Sequence, residues 1–266
     1  MPLNEACGVL GIASKSPVLN SLTVGLRALQ HRGQESAGIT IYDGEHLTLK
    51  GMGLVAEVLN DFGEEFTNGM TGIGHVRYST AGGSSMKNAQ PMTVSSVTGE
   101  LSIGHNGNVA NQDFLRQEKE NAGWAFMSDT DSEIIVRMIA NNLSKNHTVI
   151  KSIQLTMEEL VGSYSIVLLH QDELYAFRDP LGIKPLCLGE IKSGKVVASE
   201  SSAIEIMGGK MIRDVEPGEI VKISDKEILS HTVPSPENKA FCMFEYVYFA
   251  RPDAKIDGIL TYSVRQ

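Results

Sequence analysis

The stretch CGVLGIAS, Cys7–Ser14, is an almost unbroken apolar run and predicts a buried β-strand. A cysteine opens this run, and the six residues MPLNEA stand before it. One interpretation is an irregular start followed by the first strand of the fold. The other is that residues 1–6 are removed, so that Cys7 becomes the working N-terminus. The rest of the sequence has to decide between the two.

Composition indicates a globular protein. The chain has 266 residues, 42% of them hydrophobic, which is enough for one large domain or two small ones. No apolar run reaches the roughly 20 residues of a membrane span, and MPLNEA lacks the basic and apolar parts of a signal peptide. The net charge of −9 disfavours non-specific nucleic-acid binding. We therefore expect a soluble, cytoplasmic protein with no membrane and no nucleic-acid partner.

The three cysteines, Cys7, Cys187 and Cys242, are too few and too widely spaced for a disulfide framework or a CxxC zinc site. Small buried thiols are the structural expectation for Cys187 and Cys242. The histidines of the polar clusters described below match no local zinc motif. We therefore expect no metal site in this chain.

Strand patterns fill both ends of the chain, and helical patterns lie between them. Asp43-Gly44 predicts a hairpin turn. Leu22, Leu26 and Leu29 predict a helix that ends at Gln30. The predicted strands are CGVLGIAS, the two arms of GITIYDGEHLTLKGMG, TGIGHVRYS, LSIGHNGNV, YSIVLLH, ELYAFRD, KVVASES and EIVKIS. This order is typical of an α+β fold of packed layers.

A second group of signals concerns the middle and the end of the chain. Thr130-Asp131-Ser132-Glu133 has the capping-box pattern and predicts a helix start, and another helix is predicted over residues 148–161. HTVPSPENKA, residues 231–240, is typical of a linker, and FCMFEYVYFARPD then opens a unit that the chain does not complete. The predicted organisation is residues 1–6, a domain over 7–230, and a linker with the start of a second domain over 231–266.

Four polar clusters lie at predicted strand or helix ends: Gln30–Gln34, Gly74–Thr80, Gly104–Asn108 and Thr130–Glu133. Each has a purely structural explanation. Arg32 is compatible with a solvated cation at a helix end, and Asp131 with a carboxylate in a helix first turn. Asn106-Gly107 is compatible with a tight turn.

Taken together with Cys7, the four clusters contain groups that suit one reaction. A thiol at a free N-terminus carries its own base, because the α-amine and the thiol have similar pKa values, near 8 and 8.5. Asn106 and Gly107 offer a side-chain and a backbone N–H to an oxyanion. Arg77 suits a substrate carboxylate, and Asp131 suits an ammonium group. None of the clustered histidines is required as the base, although a Cys–His pair remains possible.

Six motifs occur in one order between Cys7 and about residue 225: CGVLGI, QHRGQESAG, GHVRYSTAG, HNGNVAN, SDTDSEII and YSIVLL…RDPLGIKPL. They resemble the glutamine amidotransferases whose nucleophile is an N-terminal cysteine. The resemblance implies a four-layer αββα sandwich of the N-terminal nucleophile hydrolase type. It also implies hydrolysis of the glutamine side-chain amide through a thioester on Cys7.

The resemblance implies residue roles as well. Arg77 binds the substrate carboxylate, Asp131 binds its ammonium group, and Asn106 with Gly107 forms the oxyanion hole. The remaining implied site residues are Arg32, beside the nucleophile, and Tyr78 and Thr80, which line the pocket. MPLNEA resembles a propeptide that the protein removes by self-processing.

Within this group, the sequences of the motifs QHRGQ and GHVRYST are similar to those of the amidophosphoribosyltransferases. The segments FEYVYFARPD and IDGILTYSVR are similar to the start of the second domain of those enzymes. This resemblance implies a homo-oligomeric enzyme that starts purine synthesis. Its second domain uses Mg²⁺ and ammonia to displace pyrophosphate from phosphoribosyl pyrophosphate, giving 5-phosphoribosylamine. The pattern of that second site does not occur before Gln266, so this chain by itself is expected to act only as a glutaminase.

Three alternatives remain open. The chain could belong to another amidotransferase branch, or it could be an unprocessed, catalytically silent regulatory subunit. It could also be an amidase or peptidase with the same nucleophile, although Arg77 and Asp131 favour a free amino acid as substrate. Some family members hold an iron–sulfur cluster with a cysteine near the position of Cys242. Members without a cluster also have a cysteine there, so a buried thiol is the favoured interpretation and no cofactor is expected in this chain.

Overall fold

The computed structural model describes residues 7–60, 62–78, 84–234 and 239–266. The strands are β1 Gly8–Ser14, β2 Ser36–Tyr42, β3 His46–Met52, β4 Thr71–Arg77, β5 Met92–Ser96, β6 Gly99–Val109, β7 Gly162–His170, β8 Glu173–Arg178, β9 Cys187–Ile191, β10 Gly194–Ala198, β11 Lys210–Asp214, β12 Glu219–Ile223, β13 Ile228–Thr232, β14 Lys255–Ile256 and β15 Ile259–Leu260. The helices are α1 Leu19–Ala28, α2 Val55–Val58, α3 Gln112–Asn121, α4 Asp131–Ser144, α5 Val149–Glu159, α6 Ser201–Ile206 and α7 Thr261–Val264. Short 3-10 turns cover Gln30–Arg32, Glu64–Thr67 and Met86–Asn88, and a π-helical turn covers Glu245–Phe249. Within the described residues, no helix has the length and apolar character needed to cross a membrane.

Two antiparallel sheets form the centre of the molecule. The first has the strand order β11-β9-β10-β1-β4-β2-β3, and the second has the order β13-β12-β8-β7-β6-β5. The runs CGVLGIAS and YSIVLLH lie in β1 and β7, which have neighbours on both sides in their sheets. Because a central strand is covered on both faces, its sequence needs apolar residues at consecutive positions, and this explains the unbroken runs.

The side chains of each strand alternate between two cores. Val9 and Ala13 of β1 pack with Val167 and Leu169 of β7 in the layer between the sheets, whereas Leu10 points to the opposite face. Helices α1, α2 and α6 cover that outer face of the first sheet, and α3, α4 and α5 cover the outer face of the second. The predicted α+β fold, a four-layer αββα sandwich, is confirmed.

Most of the predicted elements are confirmed, and their ends differ by a few residues. The predicted helix up to Gln30 is α1 followed by a 3-10 turn, and the helix predicted over 148–161 is α5, which is shorter at both ends. The prediction of a capping box at Thr130 is wrong. Thr130 occupies the N-cap position, but its side chain makes no capping bond. The Glu133 carboxylate instead accepts the N–H groups of Met127 and Ser128, because the preceding loop folds back over the helix start.

The C-terminal segment, residues 239–266, packs on the larger part of the fold. Asp257 accepts two hydrogen bonds from the Arg178 guanidinium, at 2.8 and 2.9 Å. The N–H of Lys255 donates to Ser201 Oγ at 2.9 Å. Strand β13 runs to Thr232 and therefore crosses the predicted boundary at residue 230. The division into domains itself stays a prediction, and residues 1–6 and 235–238 lie outside the described part of the chain.

Candidate active site

Cys7 stands at the start of β1, beside the end of β4. Gly8 pairs with Val76, so in this antiparallel ladder Cys7 lies opposite Arg77. Cys7 is 7% exposed, and its thiol donates a weak hydrogen bond to the carbonyl oxygen of Tyr78 at 3.6 Å. Burial raises the pKa of the Cys7 thiol, although the charges of Arg77, Lys184 and Arg32 act in the opposite direction. The unactivated thiol is therefore mostly protonated at neutral pH.

Arg32 lies directly behind the cysteine and is fully buried. Its Nε donates to the carbonyl oxygen of Cys7 at 2.9 Å. Its two terminal nitrogens donate to Glu200 and Glu245, each at 2.7 Å. These neighbouring carboxylates raise the pKa of Arg32 in spite of its burial, so the guanidinium is permanently charged. The explanation of Arg32 as a solvated helix-end cation is therefore wrong.

Arg77 lies on the face of β4 that is turned toward the second sheet and is 3% exposed. Its guanidinium donates to the carboxylate of Glu35, and its carbonyl oxygen accepts the N–H of Glu35 at 3.1 Å. The Tyr78 side chain is half exposed and follows at once. Thr80, the remaining predicted pocket residue of this motif, lies outside the described residues.

Asn106 and Gly107 lie within β6, in the second sheet. Asn106 is 1% exposed, and its Nδ2 has no hydrogen-bond partner among the described residues. Gly107 has a φ of +154°, and a Cβ at this position would lie 2.1 Å from the carbonyl oxygen of Ser163. Only glycine fits there. The explanation of this dipeptide as a hairpin turn is wrong, because the pair lies inside a continuous strand.

Asp131 is the first residue of α4 and is 5% exposed. Its carboxylate accepts the N–H of Val109 at 3.0 Å and lies 3.4 Å from Nδ1 of His105. Burial acts to raise the pKa of Asp131, but His105 and the backbone N–H groups outweigh it, so the pKa is lowered. A carboxylate that stays ionised in a buried position can pair with a cationic group of a ligand.

Two connections join these groups across the space between the sheets. Asn106 pairs with Ser165, whose hydroxyl donates to the carbonyl oxygen of Lys184 at 3.0 Å, and the charge of Lys184 acts on the Cys7 thiol. His75, two residues before Arg77, donates from Nε2 to the carbonyl oxygen of His105 at 2.9 Å.

Four charged residues that sequence reasoning missed interact with the candidate site residues: Glu35, Lys184, Glu200 and Glu245. The motif RDPLGIKPL contains Lys184, so a signal for that residue was present. Glu35 lies in the motif QHRGQESAG and Glu245 in FEYVYFARPD, but neither motif shows which of its residues is a buried partner, and Glu200 stands in an ordinary polar stretch.

His75 is fully buried, and its Nε2 carries the proton that it donates to the carbonyl oxygen of His105. Burial lowers its pKa from 6.5 to about 3. The unfolded chain takes up this proton near pH 6.5 and the folded protein does so only near pH 3. The stability contributed by neutral His75 is therefore complete above pH 6.5 and is lost progressively as the pH falls toward 3.

We accordingly expect the melting temperature to fall between pH 6.5 and pH 5, above the range in which carboxylates titrate. The variant His75→Gln, which keeps a donor for His105, should flatten this part of the curve of melting temperature against pH. His231→Gln, at an exposed histidine, is the control. An equal slope for His75→Gln and the unaltered protein would contradict the assignment.

The other two cysteines are placed differently from Cys7. Cys187 is buried and donates to the carbonyl oxygen of Ala198 at 3.4 Å. Cys242 is a partly exposed free thiol in the C-terminal segment, so the expectation of a buried thiol is wrong at that position. In the described ranges, no group of three or more His, Cys, Asp and Glu side chains is arranged to hold a metal ion. The prediction of a chain without a cofactor stays a prediction.

Comparison with known proteins connects this geometry to a family. Residues 75–205, which include Arg77, Asn106 and Asp131, match the model of the glutamine amidotransferase domain. The chain is 46% identical over 261 residues to the amidophosphoribosyltransferase of Archaeoglobus fulgidus and 40% identical over 266 residues to that of Bacillus subtilis. These alignments cover 97% and 99% of this chain but 57% and 56% of the two relatives, so the chain spans little more than half their length.

A solved structure agrees with this result. The glutamine phosphoribosylpyrophosphate amidotransferase of B. subtilis, in complex with ADP and GMP, superposes with a TM-score of 0.89 at 38% identity. The match covers 97% of this chain and 56% of that one. Fold, domain match and sequence identity converge: residues 75–205 match the glutamine amidotransferase domain, and the chain is similar over nearly its whole length to part of the amidophosphoribosyltransferases.

Proposed function

We propose that this chain hydrolyses the side-chain amide of glutamine, with Cys7 as the nucleophile. The observation that carries the proposal is the register of β1 on β4. It places the Cys7 thiol opposite Arg77, on the side of the first sheet that is turned toward Asn106 in the second. A thiol, a guanidinium and a buried amide N–H group on facing sides of the two sheets support the roles of nucleophile, carboxylate partner and oxyanion donor.

Activation of the thiol requires a proton acceptor, because burial raises the pKa of Cys7. The α-amine that cleavage between Ala6 and Cys7 would create is such an acceptor, with an ordinary pKa near 8. The cations Arg77, Lys184 and Arg32 would stabilise the thiolate once it forms. This requirement supports the interpretation of residues 1–6 as a propeptide.

Glutamine would be held at both ends of its α-amino acid part. Arg77, which pairs with Glu35, would exchange this contact for the α-carboxylate of glutamine. Asp131, which stays ionised, would bind the α-ammonium. Tyr78 and Thr80 would line the pocket. A peptide bond offers neither charge, so this pair favours a free amino acid over a peptide substrate.

The reaction then proceeds in two steps. The sulfur of Cys7 attacks the amide carbon while its proton moves to the α-amine, and the carbonyl oxygen becomes an oxyanion bound by Asn106 Nδ2 and Gly107 N–H. The carbon–nitrogen bond breaks, the amine returns the proton to the leaving nitrogen, and ammonia and a thioester result. Water attacks the thioester, which releases glutamate and restores the thiol.

The names of the relatives support a further part of the proposal. In the full-length protein, the ammonia would react with phosphoribosyl pyrophosphate to give 5-phosphoribosylamine, as expected for an amidophosphoribosyltransferase. A domain beyond the part of the relatives that this chain matches would bind that acceptor, together with its Mg²⁺.

The intact mass of the purified chain, followed by a glutaminase assay, tests the proposal. We expect a mass without residues 1–6 and release of glutamate and ammonia from glutamine, with Cys7→Ala as the blank. A processed chain that leaves glutamine intact would overturn the proposed function. A chain that keeps residues 1–6 and is inactive would favour the silent precursor, and release of Cys7 by a specific protease should then restore activity.

A further inference from the structure

The C-terminal segment contributes a carboxylate to the guanidinium that contacts Cys7. Glu245 stands on the π-helical turn of this segment, and its Oε1 accepts a hydrogen bond from Nη2 of Arg32 at 2.7 Å. The Arg32 and Glu245 side chains are 0% and 1% exposed. The two residues are 213 positions apart in the sequence, so the contact exists only when the segment is docked.

The Arg32 guanidinium is fixed at three of its nitrogens. Nε contacts the carbonyl oxygen of Cys7, Nη1 contacts Glu200 and Nη2 contacts Glu245. Because the group is planar and rigid, partners on both terminal nitrogens determine the direction of the Nε–H bond. The position of the Cys7 carbonyl, and with it the Cys7 backbone from which the thiol and the α-amine project, depends on both carboxylates.

The two carboxylates have different surroundings. Glu200 also bonds to Nε2 of His31 at 2.9 Å and to the N–H of Arg251 at 3.1 Å, so it is held whether or not Arg32 is present. Glu245 bonds to Arg32 through Oε1, and its Oε2 is buried with no hydrogen-bond partner among the described residues. A buried carboxylate left without full compensation is costly for stability alone. Such a group is better explained by a task at the site.

We propose that Glu245 is a positioning residue for Cys7, acting through the Arg32 guanidinium. The inference rests on the proposed glutaminase function and adds to it a dependence of the nucleophile on the docked C-terminal segment. Simple anchoring of that segment is the competing explanation. The Arg178–Asp257 ion pair anchors the same segment without contacting Arg32, so it provides a matched control.

The experiment compares Glu245→Gln with Asp257→Asn in the processed chain, with kcat and KM for glutamine and the melting temperature measured for each. We expect Glu245→Gln to lower kcat by about 10- to 100-fold, because a displacement of about 1 Å at a reacting group has an effect of this size. The KM should stay within about threefold, since Arg77 and Asp131 are untouched. Asp257→Asn should lower the melting temperature and leave kcat within about twofold.

A double-mutant cycle supplies a readout that anchoring would not move. If Glu245 acts through the guanidinium, Glu245→Gln should lower kcat no further in an Arg32→Lys background, whereas independent effects would multiply. A wild-type kcat for Glu245→Gln, a rise confined to KM, an equal loss in Asp257→Asn or multiplying losses would each overturn the inference.

A second variant covers the case in which Glu245→Gln does not fold. Glu245→Asp keeps the charge balance but withdraws the carboxylate by one methylene, so kcat should fall by a smaller factor at unchanged KM. Full activity of this variant would overturn the inference. An unaltered processed chain without glutaminase activity would overturn the proposed function first and the inference with it, so the two failures are distinguishable.

Discussion

Asn106→Ala is expected to lower kcat for glutamine hydrolysis by about 10²–10³ and to change KM little, because an oxyanion donor acts in the transition state. The structural reason is the buried Nδ2, which has no partner among the described residues and is therefore available to a developing charge. Steady-state assays of the processed variant would measure this.

The same variant carries a second expectation. A buried donor without a partner costs stability, so the relief of this cost should offset the packing lost with the side chain. The melting temperature should therefore stay within a few degrees of that of the unaltered protein. Asn142→Ala is the matched control, because Asn142 is also buried but bonds to Thr156 and Ser152 between α4 and α5. We expect that control to lose stability and keep its kcat. An Asn106→Ala variant with wild-type kcat would remove Asn106 from the oxyanion hole.

Arg77→Ala is expected to raise KM for glutamine by about 100-fold or more. A carboxylate held by charge-assisted hydrogen bonds contributes about 1.5–3 kcal/mol for each bond, and the alanine variant loses all of them. Folding should survive, because Glu35, the carboxylate that would lose its partner, is 16% exposed at its side chain and can be hydrated.

Arg77→Lys separates charge from geometry. Lysine keeps the charge but not the planar fork, so its KM should lie between those of the unaltered protein and Arg77→Ala. Arg137→Ala, at a partly exposed arginine that pairs with Glu133, is the control for general charge effects. An unchanged KM in Arg77→Ala would contradict the assignment of the carboxylate site.

Much of the fold could be predicted from local pattern. Unbroken apolar runs marked β1 and β7 because a central strand needs no alternation, and Asp43-Gly44 marked the turn between β2 and β3. The candidate site residues were also visible, because short polar motifs follow apolar runs and stand out against them. Their roles came from the resemblance and remain proposals.

The partners of Arg32 could not be predicted. Glu200 and Glu245 are 168 and 213 positions away from it, and nothing local distinguishes a buried arginine at a helix end from a solvated one. The wrong capping box has a similar cause. The hydroxyl and Glu133 had the expected spacing, but the fold of the preceding loop, which spacing does not reveal, supplied closer donors.

The pairing of β1 with β4 makes the candidate site depend on the number of residues in β1, because each added or removed residue turns the side chains before it to the other face of the sheet. Cys7, Val9 and Ala13 share one face of β1 because side chains alternate along a strand. Arg77, opposite Cys7 on β4, lies on the same face of the sheet. A deletion of one residue between Cys7 and Ala13 would preserve the apolar composition and still turn Cys7 toward the α1 side of the sheet. Exchange of one apolar residue for another would leave the thiol in place. The number of residues in β1 is therefore under stricter constraint than the kind of apolar residue at each position. Natural variation in this strand should consist of substitutions rather than single-residue insertions or deletions.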